Sequence, residues 1–230
     1  MALAVAGCFC VGQALANPVG PVVVSGSAGF STQGNVLTVS NSPGAIIHWQ
    51  GFSIGANEMT RFNQASAASS VLNRVVTNDP SQLLGTLQSN GRVFLINPAG
   101  ILVGAGAVVD TAGFVASTLN LSNSDFLAGK LNFTATPGAG KLENYGTIRT
   151  PSGGSIYLVG PQVENHGIIN APNGEVLLAA GKTIQLVDTA TPGVRVEITA
   201  DKEQALNLGQ LLAESGRIGV VGAVVKHSGR

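Results

Sequence analysis

Leu142-Glu143-Asn144-Tyr145-Gly146-Thr147-Ile148 is followed, at an offset of 21 residues (Asn144 to Asn165), by Val163-Glu164-Asn165-His166-Gly167-Ile168-Ile169. Between the copies, Gly154-Ser155-Ile156-Tyr157-Leu158-Val159 is echoed by Gly174-Glu175-Val176-Leu177-Leu178-Ala179, and more weakly by Glu214-Ser215-Gly216-Arg217-Ile218. A period near 20 residues implies a solenoid. Each copy holds short apolar-alternating runs separated by Gly, Asn and Pro, as in Asn170-Ala171-Pro172-Asn173-Gly174. No run in the repeat carries a helical period over 11 or more residues, and no leucine-and-asparagine register recurs as a leucine-rich repeat requires. The unit therefore reads as one coil of a parallel β-helix. Inward Val, Ile and Leu stack into a narrow core, and Gly and Asn corners supply turn conformations.

The same grammar runs upstream in Gly34–Val39, Ala45–Trp49 and Gly91–Ile96. Two stretches depart from it. The region 65–76 has some helical character and is expected to form an exposed excursion. Region 201–213, with apolar spacing at Leu206, Leu208, Leu211 and Leu212, is expected to form a short helix or loop outside the coils. His166 falls at the corner that Tyr145 occupies one coil earlier. Ser228-Gly229-Arg230 repeats Ser215-Gly216-Arg217, so the chain is expected to stop as a new coil begins, as a fragment of a longer protein or a truncated reading frame would.

Composition narrows the function. Charged residues are 10% of the 230, against about 25% in ordinary soluble domains, and the formal net charge is +0. There is no basic stripe of the kind nucleic acid calls for. The 12 acidic residues are scattered singly, the closest set being Asp201 and Glu203, whereas polysaccharide cleavage on a β-helix needs clustered carboxylates, often with Ca²⁺ or a basic residue. Gly104-Ala105-Gly106 lacks the third glycine and the strand–helix setting of a nucleotide fingerprint. His48, His166 and His227 share no metal-ligand spacing. No enzyme activity, metal or cofactor is expected. Asn120-Leu121-Ser122 and Asn132-Phe133-Thr134 are sequons, a frequent chance pattern.

Residues 1–16 are uncharged, rich in Ala, Val and Leu, and end in Ala14-Leu15-Ala16, an A-x-A cleavage site. They read as a signal peptide whose basic start lies upstream of Met1, because the first cation is Arg61. Both cysteines, Cys8 and Cys10, fall within it, and a mature chain starting near Asn17 has none. Val5-Ala6-Gly7-Cys8 is the competing lipobox reading.

Several blocks, in order, resemble the two-partner secretion domains of the filamentous-haemagglutinin and high-molecular-weight adhesin type. Trp49-Gln50-Gly51-Phe52-Ser53-Ile54-Gly55 is similar to the family's W-x-x-F-x-I-G segment. Leu72–Val76 and Asp79-Pro80-Ser81-Gln82-Leu83-Leu84-Gly85 resemble the next blocks, and Asn90–Ile101 resembles the hallmark N-G-x-V-F-L-I-N-P-N-G-I. Gly113–Leu119 is similar to the segment after it. Ala99 departs from the hallmark, which has Asn there; with Asn97, Pro98 and Gly100 in place the turn is expected to survive. The resemblance runs from about residue 20 to the C-terminus, is closer to the high-molecular-weight adhesin branch, and implies for residues 17–230 a right-handed, single-stranded parallel β-helix with small extra-helical hairpins or loops.

The resemblance implies passage through the periplasm of a Gram-negative bacterium, capture by the periplasmic domains of an outer-membrane barrel transporter, and folding outside the cell or on its surface, where the domain nucleates the β-helix of the rest of the exoprotein. It also implies recognition and folding roles for Asn97, Pro98 and Gly100, supported by Trp49, Phe52 and Arg92. The Asn97 turn is open to two readings, direct transporter contact or a purely structural turn. The parent protein is expected to be an adhesin or haemagglutinin that binds a host-cell glycan or protein through regions beyond residue 230; the alternatives are a haem-carrier-binding exoprotein and a polysaccharide-cleaving β-helix enzyme.

Overall fold

The computed structural model describes residues 17–188, 194–199 and 204–229. The proposed signal peptide, Cys8, Cys10, Asp201 and Glu203 lie outside them.

The chain winds into a parallel β-helix with three sheet faces. One face stacks Ala45–Trp49, Ser70–Val75, the second half of Thr86–Ile96, the second half of Val108–Ser117, Ser155–Gly160, Glu175–Ala180 and Arg217–Val221, each pairing in parallel with the next. A second face stacks Val36–Asn41, Met59–Asn63, the first halves of those two long strands, Thr147–Arg149, Ile168–Asn170 and Gln210–Leu212. The third is a six-stranded sheet running from Ser81–Leu83 through Ile101–Val103, Leu142–Asn144, Gln162–Asn165 and Gln204–Asn207 to Val224–His227. Register pairs Asn144 with Asn165, and Ile156 with Val176, as the repeat requires. Gly216 packs on Gly174, with Arg217 opposite Glu175, so the weak third copy also falls in register.

Alternation explains the core. Val93 and Leu95, Phe114 and Ala116, Ile156 and Leu158, then Val176 and Leu178 point inward and are fully buried. Residues between them point out. Here the outer face is covered as well, by an excursion that the solenoid carries on its flank. A four-stranded antiparallel sheet (Asn120–Leu121, Leu131–Thr134, Thr183–Asp188 and Val194–Thr199) packs there with the short helix Asn123–Leu127. Beneath it lies a second apolar cluster containing Leu72, Phe94, Ile96, Phe126, Phe133 and Ile184. At the N-terminal end, antiparallel Ala28–Gln33 and Val22–Ser25 close the first coil.

Three expectations are corrected. Region 65–76 is not an exposed excursion: only its start is a turn, and Ser70–Val75 is a core strand with Val71, Leu72 and Asn73 fully buried. Both faces of that strand are buried, which erases the alternation that would reveal it. Region 201–213 contributes no helix among its described residues: Gln204–Asn207 and Gln210–Leu212 are coil strands with Ala205 and Leu211 inward. The leucines that suggested a helix include Leu208 and Leu212, which are exposed on the outside. The insertion lies earlier, in the hairpin formed by Thr183–Asp188 and Val194–Thr199. Ser228-Gly229 does not match Ser215-Gly216 either, because Gly229 packs on Gly209 whereas Gly216 packs on Gly174, in a different corner.

Candidate functional site: the Asn97 turn and the first coils

Asn97 ends the long strand Thr86–Ile96 at the corner leading to Ile101–Val103, and it is fully buried. Its amide spans a corner and ties neighbouring coils together. Nδ2 donates to the carbonyl of Asp79 at 2.9 Å and to Ser81 Oγ at 2.9 Å, in the preceding coil. Oδ1 accepts from the backbone N–H of Ala99 at 3.0 Å, and Gly100 N–H donates to the Asn97 carbonyl at 3.1 Å. The Asn97 N–H donates to the Ser117 carbonyl one coil on, at 2.9 Å. The carbonyl of Pro98 accepts from Gly140 N–H at 2.8 Å, and that of Gly100 from Ser81 N–H at 3.0 Å. Gly100 has φ +130°, a conformation that side chains rarely adopt. Ala99 takes part through its N–H, so the turn closes without the side chain the hallmark carries there. Pro98 and Ala99 are half-buried, and Gly100 is buried.

Trp49 and Phe52 sit below this turn in the first coil, both fully buried. Trp49 stacks edge-on against Phe30 (ring centroids 5.6 Å apart) and Phe52 (5.5 Å), and Phe52 lies nearly parallel to Phe62 at 6.4 Å. Trp49 Nε1 donates to Asn73 Oδ1 at 2.9 Å, and Asn73 Nδ2 reaches the Phe94 carbonyl at 3.3 Å. A buried indole N–H needs such a partner. Trp49 is thus a packing residue. Segment 76–81 bridges the two groups: Val76 N–H donates to the Trp49 carbonyl and Thr77 Oγ1 to that of Gln50, while Asp79 and Ser81 receive Asn97. Arg92 is not part of this assembly. It points outward from the sheet and is exposed, held by its backbone through Ser69 and Gln64.

The sequence reading missed residues that fix the excursion. Arg74 Nη1 donates to Asn123 Oδ1 at 2.6 Å and lies 2.9 Å from His48 Nε2, and Nη2 donates to the Leu121 carbonyl. One guanidinium thereby clamps the start of the excursion to the first coils, with no carboxylate partner among the described residues. Burial, and secondly the Arg74 charge, hold the pKa of His48 below its ordinary value. His48 must present a lone pair to Arg74, so the folded state favours its neutral form. The sign follows from linkage: this contribution is complete above the unfolded pKa of about 6.5 and is lost as pH falls through the lowered folded value. His48→Gln, which keeps an acceptor but cannot titrate, is expected to flatten the acid side of the stability profile between pH 7.5 and pH 5 in denaturant titrations. An unchanged acid limb would show that His48 carries no such linkage.

Downstream, a buried ladder runs up one corner. Asn144 Nδ2 donates to Asn165 Oδ1 at 2.7 Å, Asn165 Nδ2 to Asn207 Oδ1 at 2.7 Å, and Asn207 Nδ2 lies 2.9 Å from His227 Nδ1. Tyr145 and His166 stack beside it at 4.6 Å and 5°, in the equivalence the repeat implied. Asn207 escaped the sequence reading because the hairpin insertion doubles its spacing from Asn165. Among the described residues no group of three or more His, Cys, Asp or Glu could hold a metal ion.

Comparison with known proteins matches this architecture. The crystal structure of the HMW1 secretion domain from Haemophilus influenzae superposes with a TM-score of 0.85 over 89% of this chain and 55% of that one, at 41% identity. A heme/hemopexin-binding protein of Haemophilus influenzae strain Rd is 41% identical over 105 residues, which are 45% of this chain and 12% of that protein. A second Haemophilus influenzae protein of the same name is 33% identical over 104 residues, 45% of this chain and 11% of its own length. The aligned segment is thus a small part of these relatives. The sequence profile of the TPS secretion domain matches residues 14–227, nearly the whole chain, and the protein belongs to that family of secretion domains.

Proposed function

We infer that the chain, as a two-partner secretion domain, is exported through the periplasm to the cell surface or exterior, in keeping with a family of secretion domains. We propose that the Asn97 turn serves export through folding: the transporter's periplasmic domains engage the unfolded chain, and outside the cell the turn locks successive coils as they add. The observation that carries this is the complete burial of Asn97, with both amide hydrogens and the amide oxygen committed to partners inside the domain. A side chain so enclosed offers a transporter nothing once the domain has folded. Stacked coils gain stability by neighbour addition, so folding outside can draw the chain outward. Pro98 and Gly100 set the turn, and Trp49 and Phe52 supply the apolar nucleus of the first coils.

For the parent protein, the favoured cargo is a haem-carrier-binding region downstream rather than an adhesin, since both curated relatives are named heme/hemopexin-binding proteins. Any host-cell ligand would be met by that downstream region.

The test is co-expression with the cognate outer-membrane transporter, assaying supernatant and periplasm for wild type and Asn97→Ala. Wild type is expected in the supernatant only when the transporter is present. Asn97→Ala is expected to bind the transporter's periplasmic domains as tightly as wild type in its unfolded form, yet to reach the supernatant poorly. Loss of that binding on Asn97→Ala would overturn the folding reading in favour of direct contact.

A further inference from the structure

A groove of about 670 Å³ runs across the outer face of the first sheet, perpendicular to the strands. It crosses Thr86–Ile96, Val108–Ser117, Ser155–Gly160, Glu175–Ala180 and Arg217–Val221. At about 4.8 Å per strand, the four spacings give a length of roughly 19 Å. One lip is the excursion, through Leu131 and Leu186, and the other is formed by the turns at Ala67 and Pro151.

The groove exists because of one row of residues. Register places Arg92, Gly113, Ser155, Glu175 and Arg217 side by side along its floor. Gly113 and Ser155 leave the middle low, while an arginine stands at each end. Among the described residues neither guanidinium makes a hydrogen bond or ion pair. Arg217 lies opposite Glu175, yet the Glu175 carboxylate is taken by Tyr157, whose hydroxyl donates to it at 2.6 Å. Phe94 and Tyr157 form the next row inward. The array is therefore two cations about 19 Å apart, uncommitted among the described residues, with an acceptor and hydroxyls between them and the half-buried Tyr157 ring alongside.

We propose that this groove binds a linear acidic oligosaccharide. The arginines would pair with its carboxylates bidentately, Glu175 and Ser155 would take its hydroxyls, and the Tyr157 ring would lie against an apolar face of a sugar. A polypeptide is disfavoured because the backbone N–H and C=O groups of the floor are consumed in the parallel ladder, leaving no edge for an added strand. The inference is independent of export, since it concerns the folded face.

The test uses the purified chain with tetragalacturonate as an acidic probe, a neutral tetrasaccharide of the same length, and hexaglutamate. Tetragalacturonate is expected to bind at millimolar concentration or better and to weaken with salt. Arg92→Gln and Arg217→Gln should each reduce affinity by about tenfold, equivalent to about 1.4 kcal/mol. Neither arginine has a partner to lose among the described residues, so circular dichroism and thermal midpoint should stay at wild-type values. The neutral sugar should bind at least about tenfold more weakly than the acidic one. Absence of acidic-sugar binding, indifference to both substitutions, or equally tight binding of hexaglutamate would each overturn the proposal.

Discussion

Asn97→Ala is expected to lower the stability of the folded domain by about 3–4 kcal/mol, with the denaturant midpoint falling and the slope of the transition unchanged. The deletion removes three hydrogen bonds at once. It strands the fully buried Ser81 Oγ and takes the partner from the Asp79 carbonyl and from the N–H of half-buried Ala99. An unpaired buried polar group costs about 1–3 kcal/mol, more than the bond contributed when made. Asn97→Asp should be no better: the shape is kept, but two donors become acceptors facing an acceptor carbonyl, and a charge is buried without a counterion. Ser81→Ala is the graded comparison. It removes one of the two Nδ2 acceptors, leaves Asp79 in place, and should cost about 1 kcal/mol. If urea or guanidinium titrations put Asn97→Ala within about 0.5 kcal/mol of wild type, the amide is not the tie between coils, and its place in the secretion motif needs another cause.

That tie shows where sequence reading succeeds and where it stops. The Asn97 turn was visible through its resemblance to a secretion hallmark, and the β-helix through the offset between Asn144 and Asn165. The partners of Asn97 were not visible, because Asp79 and Ser81 reach it only once a full coil has wound beneath it. The strand Ser70–Val75 was hidden for a different reason. Leu72 faces outward beside Phe94, where alternation predicts a polar residue, and is buried because Phe126 and Phe133 of the excursion cover that side. Nothing near residue 72 announces a cover made some fifty residues later. Asn207 was hidden by arithmetic: the hairpin of Thr183–Asp188 and Val194–Thr199 interrupts the period, although the coil resumes in register with Gln162–Asn165 as if nothing had been inserted. Arg92, in the same motif as Asn97, stands apart from the turn, because alternation along Thr86–Ile96 sends its side chain to the opposite side of the sheet from Val93 and Leu95.

Gly167→Ala is expected to be the more damaging substitution, by 4 kcal/mol or more on the order of a coil's contribution, and to leave the C-terminal coils unable to stack. A Cβ at Gly167 would stand 2.1 Å from the carbonyl oxygen of Gly146 and 2.7 Å from the carbonyl carbon of Tyr145. Both are backbone atoms. They cannot step aside as a side chain would, since Gly146 O accepts from Ile168 N–H at 2.9 Å and Asn144 O accepts from Gly167 N–H at 3.0 Å. The corner repeats upward: a Cβ on Gly209 would meet Gly167 O at 2.0 Å, and one on Gly229 would meet Gly209 O at 1.9 Å. Glycine is needed here for closeness, because none of these three has a positive φ. The coils must approach this near for the Asn144–Asn165–Asn207 ladder to close at 2.7 Å per step, so prying Gly167 from Gly146 also breaks the buried amide chain. Gly106→Ala is the matched control. No heavy atom lies within 4 Å of its added carbon and its φ is ordinary, so it should be neutral within about 0.5 kcal/mol or slightly stabilising through the unfolded chain. Amide hydrogen exchange reads the outcome by region. In Gly167→Ala, protection should fall in Gln162–Asn165, Gln204–Asn207 and Val224–His227 while Ala45–Trp49 and Ser70–Val75 stay protected, as expected of a stack whose units support only their neighbours. Uniform loss across all coils would instead show that the domain folds as one cooperative block, and full retention would show that the stacked backbone can absorb a methyl group at so close an approach.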